Sequence, residues 1–187
     1  LMDAVAKTRQ SGLNCLFTAR HPSHGGTFDG SEQDRVALSQ QALAAGADVV
    51  DAELGSEAAR ELLAAGAPMV LSHHDFNAMP DAAELRELTA AMLSASPQSP
   101  PQAIKLVPTA STITESVRML QWVQERQDSE PQRIGFAMGV AGASSRVLAI
   151  AYGAPITYAA FGEAVAPGQI ALAELVETYR AAELNAD

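Results

Sequence analysis

Cysteine is almost missing from this 187-residue chain, and the single one, Cys15, sits in an apolar run. One thiol builds no disulfide framework. That suits a reducing compartment and predicts a cytoplasmic protein in which Cys15 is a small core residue. Basic residues are scarce as well: 12 Lys and Arg face 22 Asp and Glu, a formal charge of −10. Such a surface repels phosphate and excludes nucleic acid as a partner, while an anionic small molecule would need arginines gathered locally. No apolar run approaches the ~20 residues of a membrane-spanning helix, and the N-terminal LMDAVAKTRQ has no signal-peptide centre. No membrane partner is expected. P-loop and GxGxxG turns are also absent.

What remains is a globular composition, 48% hydrophobic and 18% charged, enough for one domain with a real core. The chain opens on Leu1 in what reads as mid-helix, so it is expected to be a piece of a longer protein. Residues 1–11 read as the end of a helix and LNCLFTA (13–19) as a first strand. A Gly/Pro-rich loop (20–30) and a helix (31–45) lead to the strand DVVDAEL (48–54). A helix at 56–65 precedes the third strand, PMVLSHHDF. Asp81 with Glu84, and Thr112 with Glu115, have capping-box spacing. The helices they open carry the stripes Leu85, Leu88, Met92, Leu93 and Ile113, Val117, Leu120, Val123. Between them a Ser/Pro linker (94–101) enters the strand AIKLV (103–107). RIGFAM, a helix at 143–152, PITYAAF and a last helix with Leu172, Leu175, Val176 and Tyr179 on one face complete the chain.

Six strands alternating with helices predict an α/β fold with a parallel sheet, either doubly wound or a (β/α)8 barrel. A complete barrel takes about 250 residues, so here it would be a piece with six βα units.

Parallel strands are normally apolar on both faces, so polar residues within them carry information. By alternation, Asn14, Leu16, Thr18 and Arg20 share a side. So do Val49, Asp51 and Glu53; Val70, Ser72 and His74; and Ala103, Lys105 and Val107. Arg20, Glu53, His74 and Lys105 then point one way near their strands' C-terminal ends, where α/β folds build sites. Arg20 and Glu53 alone could be a structural ion pair, and Asp51 reads as a supporting group. His73 and His74 face opposite ways.

Zinc fits poorly, because the histidines are adjacent and Cys15 faces away. AMGVAGAS (137–144) is glycine-rich and opens a helix, so its amides could hold an anion, with Arg146 close by. Burying a cationic amine costs several kcal/mol unless it is paired or loses its proton. Lys105 therefore reads as a nucleophilic amine, activated near arginines, with His74 moving protons beside the resulting iminium. That is Schiff-base chemistry on a keto acid, needing neither metal nor cofactor.

The stretches LFTAR with its following Gly-Gly, DVVDAEL, VLSHHDF, IKLVP, residues 138–146 and APGQI run in order over almost the whole chain. In these the chain resembles type I 3-dehydroquinate dehydratase, a (β/α)8 barrel enzyme of the shikimate pathway. The resemblance implies a single partial barrel domain over residues 1–187, lacking the first two strands. It implies a Schiff base between Lys105 and the C3 ketone of 3-dehydroquinate. His74 would be the general acid/base, Arg146 the carboxylate partner, Arg20 and Gln169 neighbours of the ring hydroxyls, and Met138 a lining residue. Glu53 would support Arg20. His24 stands where the family usually has an acid that orients the histidine, and Val165 where a serine is common. A homodimer is implied, and ELNAD (183–187) resembles the linker to a fused shikimate dehydrogenase. Two other readings fit the same residues: another lysine Schiff-base barrel of class I aldolase type, and a degenerate barrel kept as a scaffold or binding domain.

Overall fold

The caps predicted from spacing set the helix starts. Asp81 N–H donates to Glu84 and Glu84 N–H returns to Asp81 Oδ1, at 2.7 and 2.9 Å. Thr112 and Glu115 exchange the same pair of bonds, as do Ser31 and Asp34. Each box satisfies amides that the first helical turn leaves without intrahelical partners. The structure, a computed structural model, describes residues 2–164, 166 and 168–184. Leu1, Val165, Pro167 of APGQI and the last three residues of ELNAD lie outside the described residues.

In chain order the elements are α1 (Met2–Gln10), β1 (Leu16–Thr18), α2 (Glu32–Ala44), β2 (Val49–Glu53), α3 (Glu57–Ala64), β3 (Met69–Asp75) and α4 (Ala82–Ser94). Then follow β4 (Ala103–Pro108), α5 (Ile113–Gln124), β5 (Gln132–Gly135), α6 (Ala143–Leu148) and α7 (Leu172–Glu177). The fold is α/β: five parallel strands in sequential order, alternating with helices. The register pairs Thr18 with Asp51, Asp51 with Val70, and Glu53 with Ser72. In-register parallel partners share a face, so Asp51, Glu53 and Ser72 lie on one side, as alternation predicts.

Two compact units can be distinguished, residues 1–72 with 91–104 and residues 73–90 with 105–187; β3 and β4 each run from the first into the second. The first unit buries Val50, Ala52, Met69 and Leu71 with Ala59, Leu62 and Leu63 of α3. The second buries Leu106, Ile134 and Phe136 with Met119, Leu120, Trp122 and Val123 of α5. There Trp122 Nε1–H donates to Thr89 Oγ1 of α4 at 2.8 Å, so the indole is buried without losing its hydrogen bond.

Four expectations are corrected. The sixth strand does not form: among the described residues, 155–161 make a single bridge, Ala160 to Ala171. β-branched and aromatic residues favour extended backbone, but a ladder needs a paired neighbour along its length. The first strand is confined to Leu16–Thr18. On α5 the expected stripe holds at Leu120 and Val123, but Ile113 is 70% and Val117 40% exposed while Ser116 and Met119 turn inward. On α7 only Leu175 is buried; Leu172, Val176 and Tyr179 are exposed.

Candidate active site

In the first unit the polar residues of β1, β2 and β3 form one buried ionic network. Arg20, just beyond β1, donates from Nη1 to Glu53 Oε1 at 3.0 Å and Ser72 Oγ at 3.2 Å. Its Nη2 donates to Asp51 Oδ1 at 2.7 Å. Ser72 Oγ–H donates to the same Asp51 oxygen at 2.6 Å. Arg35 of α2 takes the other oxygen of Glu53, and its Nε donates to the Ala19 carbonyl at 2.9 Å. Glu32 accepts from Arg35 Nη1 at 2.5 Å and from the Ala58 amide at 3.0 Å, which links α2 to the start of α3.

Burial alone would push the Arg35 guanidinium down, but Glu32 and Glu53 outweigh it and hold the group firmly charged. Arg20 and Glu53, paired in expectation by alternation, are thus paired in fact. Asp51 is a buried supporting group. Ser72 lies on the face that alternation gave it and bonds to Asp51; Arg35 was not anticipated, because a helix residue gives no sequence signal that it reaches the carboxylate of Glu53. His24 closes a short 3-10 turn, 22–24, and its buried Nδ1 has no hydrogen-bond partner among the described residues.

In the second unit, His73 lines a small cleft with Leu85 and Leu88 of α4 and Leu106 of β4, so it faces the helix layer. Alternation then puts His74 and Lys105 on the opposite face. The His74 ring stacks near Phe76, centroids 6.3 Å apart. Lys105 is only 5% exposed, and its Nζ lies over the Tyr158 ring, 4.4 Å from the centroid. Tyr158 packs on Phe136 at 5.5 Å, and the Arg146 guanidinium lies over Phe136 at 4.5 Å. Burial brings the Arg146 guanidinium down to about 10, which leaves it charged at neutral pH. Met138 is buried, and its backbone continues the β4–β5 pairing: its N–H donates to the Pro108 carbonyl at 2.7 Å and its carbonyl accepts from Ala110 at 3.0 Å.

In the glycine-rich stretch 137–144, several amides are taken up within the protein. Ala137 N–H donates to Ser145 Oγ at 2.8 Å, and the Gly142 and Ala143 amides bond to carbonyls within the loop. This folding needs Gly142, where an added Cβ would stand 2.5 Å from the Ala137 carbonyl oxygen. Gln169 follows Gly168, whose positive φ of 71° and close approach to the Gly139 backbone set that turn against the end of β5. Tyr158 and Phe136 are the site residues that sequence reasoning missed; both sit in runs that read as ordinary strand. Among the described residues no three His, Cys, Asp or Glu side chains gather as a metal site, and no helix is long and apolar enough to cross a membrane.

The family model for type I 3-dehydroquinase matches residues 1–186 of this chain. The 3-dehydroquinate dehydratase of Dehalococcoides mccartyi strain 195 is 34% identical over 170 residues, covering 88% of this chain and 74% of that protein. Among solved structures, the 3-dehydroquinate dehydratase of Geobacillus kaustophilus superposes with a TM-score of 0.80 at 23% identity, covering 97% of this chain and 73% of that one. The S. pombe dehydroquinate dehydratase and shikimate dehydrogenase gives a TM-score of 0.70 at 25% identity, over 95% of this chain and 35% of that one.

Proposed function

The chain belongs to the type I 3-dehydroquinase family, and from that premise we propose how it works as a 3-dehydroquinate dehydratase, a lyase that turns 3-dehydroquinate into 3-dehydroshikimate in the shikimate pathway. One observation carries the mechanism: an amine, Lys105, buried in an otherwise apolar strand, with His74 assigned to the same face by alternation. The amine of Lys105 attacks the C3 ketone and, with loss of water, forms an iminium. The iminium gives the electrons of the C2–H bond somewhere to go, which acidifies that proton. His74 removes it and returns a proton to the C1 hydroxyl as it leaves as water. A second water then hydrolyses the iminium and frees the product. No metal or cofactor takes part.

The remaining roles follow from charge. Arg146 rests on an aromatic face and keeps its charge for the substrate carboxylate. Arg20 already faces Asp51 and Glu53, so it suits hydrogen bonding to neutral ring hydroxyls, the role the family resemblance also gives Gln169. Glu53 supports Arg20, Met138 lines the site, and His24 supports the catalytic histidine from the position where the family has an acid. We take residues 1–187 as one partial barrel domain of a cytoplasmic homodimer. A shikimate dehydrogenase domain fused after the dehydratase is the arrangement that the S. pombe neighbour supports.

The test is turnover of 3-dehydroquinate, followed by the absorbance of the conjugated product, for the parent chain and Lys105→Met. The parent forms 3-dehydroshikimate and the variant does not. Carbon–carbon cleavage without that absorbance would mean an aldolase. No turnover, with a melting temperature unmoved by saturating 3-dehydroquinate, would mean a scaffold.

A further inference from the structure

Lys105 must exist in charged and neutral forms during one turnover, and the structure puts a ring face, not open solvent, against its nitrogen. Tyr158 lies 4.4 Å from Nζ, centroid to atom, while Lys105 itself is almost wholly buried. The negative face of an aromatic ring attracts a cation and does little for a neutral amine, and the attraction grows when water is excluded. The ring cannot easily turn away. Phe136, itself buried, packs against it at 5.5 Å with the planes tilted by 48°. Arg146 covers Phe136, and the neighbouring Thr157 hydroxyl donates to the Arg146 carbonyl at 2.7 Å.

We propose that the ring face of Tyr158 is a catalytic element of this site, selecting the protonated over the neutral form of the Lys105 nitrogen. The proposal rests on the dehydratase reading above and deepens it. In net terms ammonium plus ketone gives protonated iminium plus water: the amine gives up a proton before it attacks, and a proton is taken up again as the carbinolamine loses water, so the charge leaves the nitrogen and then returns. Loss of the nitrogen proton at either stage changes the outcome. Only the neutral amine is a nucleophile, but a neutral imine is a poor electron sink, and the C2 proton then stays on carbon. A ring that favours the charged nitrogen slows the amine a little and keeps the imine protonated when His74 acts.

That gives two effects of opposite sign on removing the ring, which a purely structural role would not produce. In Tyr158→Leu, acylation of Lys105 by a small reagent without substrate, followed by peptide mass, becomes severalfold faster. In the same variant kcat falls about tenfold with KM changed about twofold or less. Tyr158→Phe, which keeps the ring and loses the hydroxyl, restores both to within about twofold of the parent. Tyr158→Met serves if the leucine variant does not fold.

The proposal is overturned if labelling and kcat fall together without the ring, if neither moves, or if the phenylalanine variant is as impaired as the leucine one. The dehydratase reading fails separately, through a parent chain that never forms 3-dehydroshikimate. The substrate-free labelling would still report on the ring.

Discussion

The two units hold their buried cations in opposite ways. In the first, Arg20 and Arg35 are clamped between Asp51, Glu53 and Glu32. In the second, Lys105 and Arg146 lie over the rings of Tyr158 and Phe136, while Arg133 combines the Trp122 ring with an ion pair to Glu130 at 2.7 Å. A carboxylate fixes an arginine but cancels its charge. A ring holds the cation through its quadrupole without itself carrying an opposite net charge. In a chain with a net charge of −10, an anionic substrate needs positive charge gathered locally. The ionic network therefore reads as positioning, and the ring-supported cations as the reactive and anion-binding groups.

The largest expected effect falls on the ring-supported side. Lys105→Met reduces turnover to background while leaving the denaturant midpoint unchanged or higher, because it replaces a buried cation with an apolar side chain of similar length. A variant that unfolds would place Lys105 in the scaffold instead. On the carboxylate side the pattern reverses. Glu53→Gln neutralises the group that accepts from both Arg20 and Arg35, and it should cost about 3 kcal/mol of stability in urea titration. An unchanged midpoint would remove the distinction between the two regions.

Arg146→Lys sharpens the comparison. The charge stays but the planar group over Phe136 is lost, so kcat/KM should fall about tenfold, mostly through KM, with little change in melting temperature. The smallest effect concerns pH. Burial pushes the Glu32 carboxyl up, but hydrogen bonds from Ala58 N–H and Arg35 together bring it below its ordinary 4.5. Its contribution to stability is full above that value and is lost as the folded form takes up a proton at lower pH. The urea midpoint of the parent should therefore fall more steeply below pH 4.5 than that of Glu32→Gln.

Much of this was legible in the residues, for local reasons. Capping spacing located the starts of α4 and α5, and alternation placed Asp51, Glu53 and Ser72 on one face, because both signals depend on a few neighbouring residues. The missing sixth strand and the exposed part of the α5 stripe depend on what lies alongside in space. PITYAAF has strand-type residues but only one bridge, and Ile113 fits a helical period yet lies outward. The role of Arg35 and the ring beneath Lys105 were hidden for the same reason. Each joins residues far apart in sequence: Arg35 reaches β1 and β2 from α2, and Tyr158 lies 53 positions after Lys105.

The account turns on whether the buried amine of Lys105 condenses with the substrate ketone. Reduction with borohydride during exposure to 3-dehydroquinate, followed by peptide mass analysis, reads this directly. The adduct mass should appear on the peptide carrying Lys105 and be absent without substrate. Turnover to 3-dehydroshikimate with that peptide unmodified would contradict the mechanism.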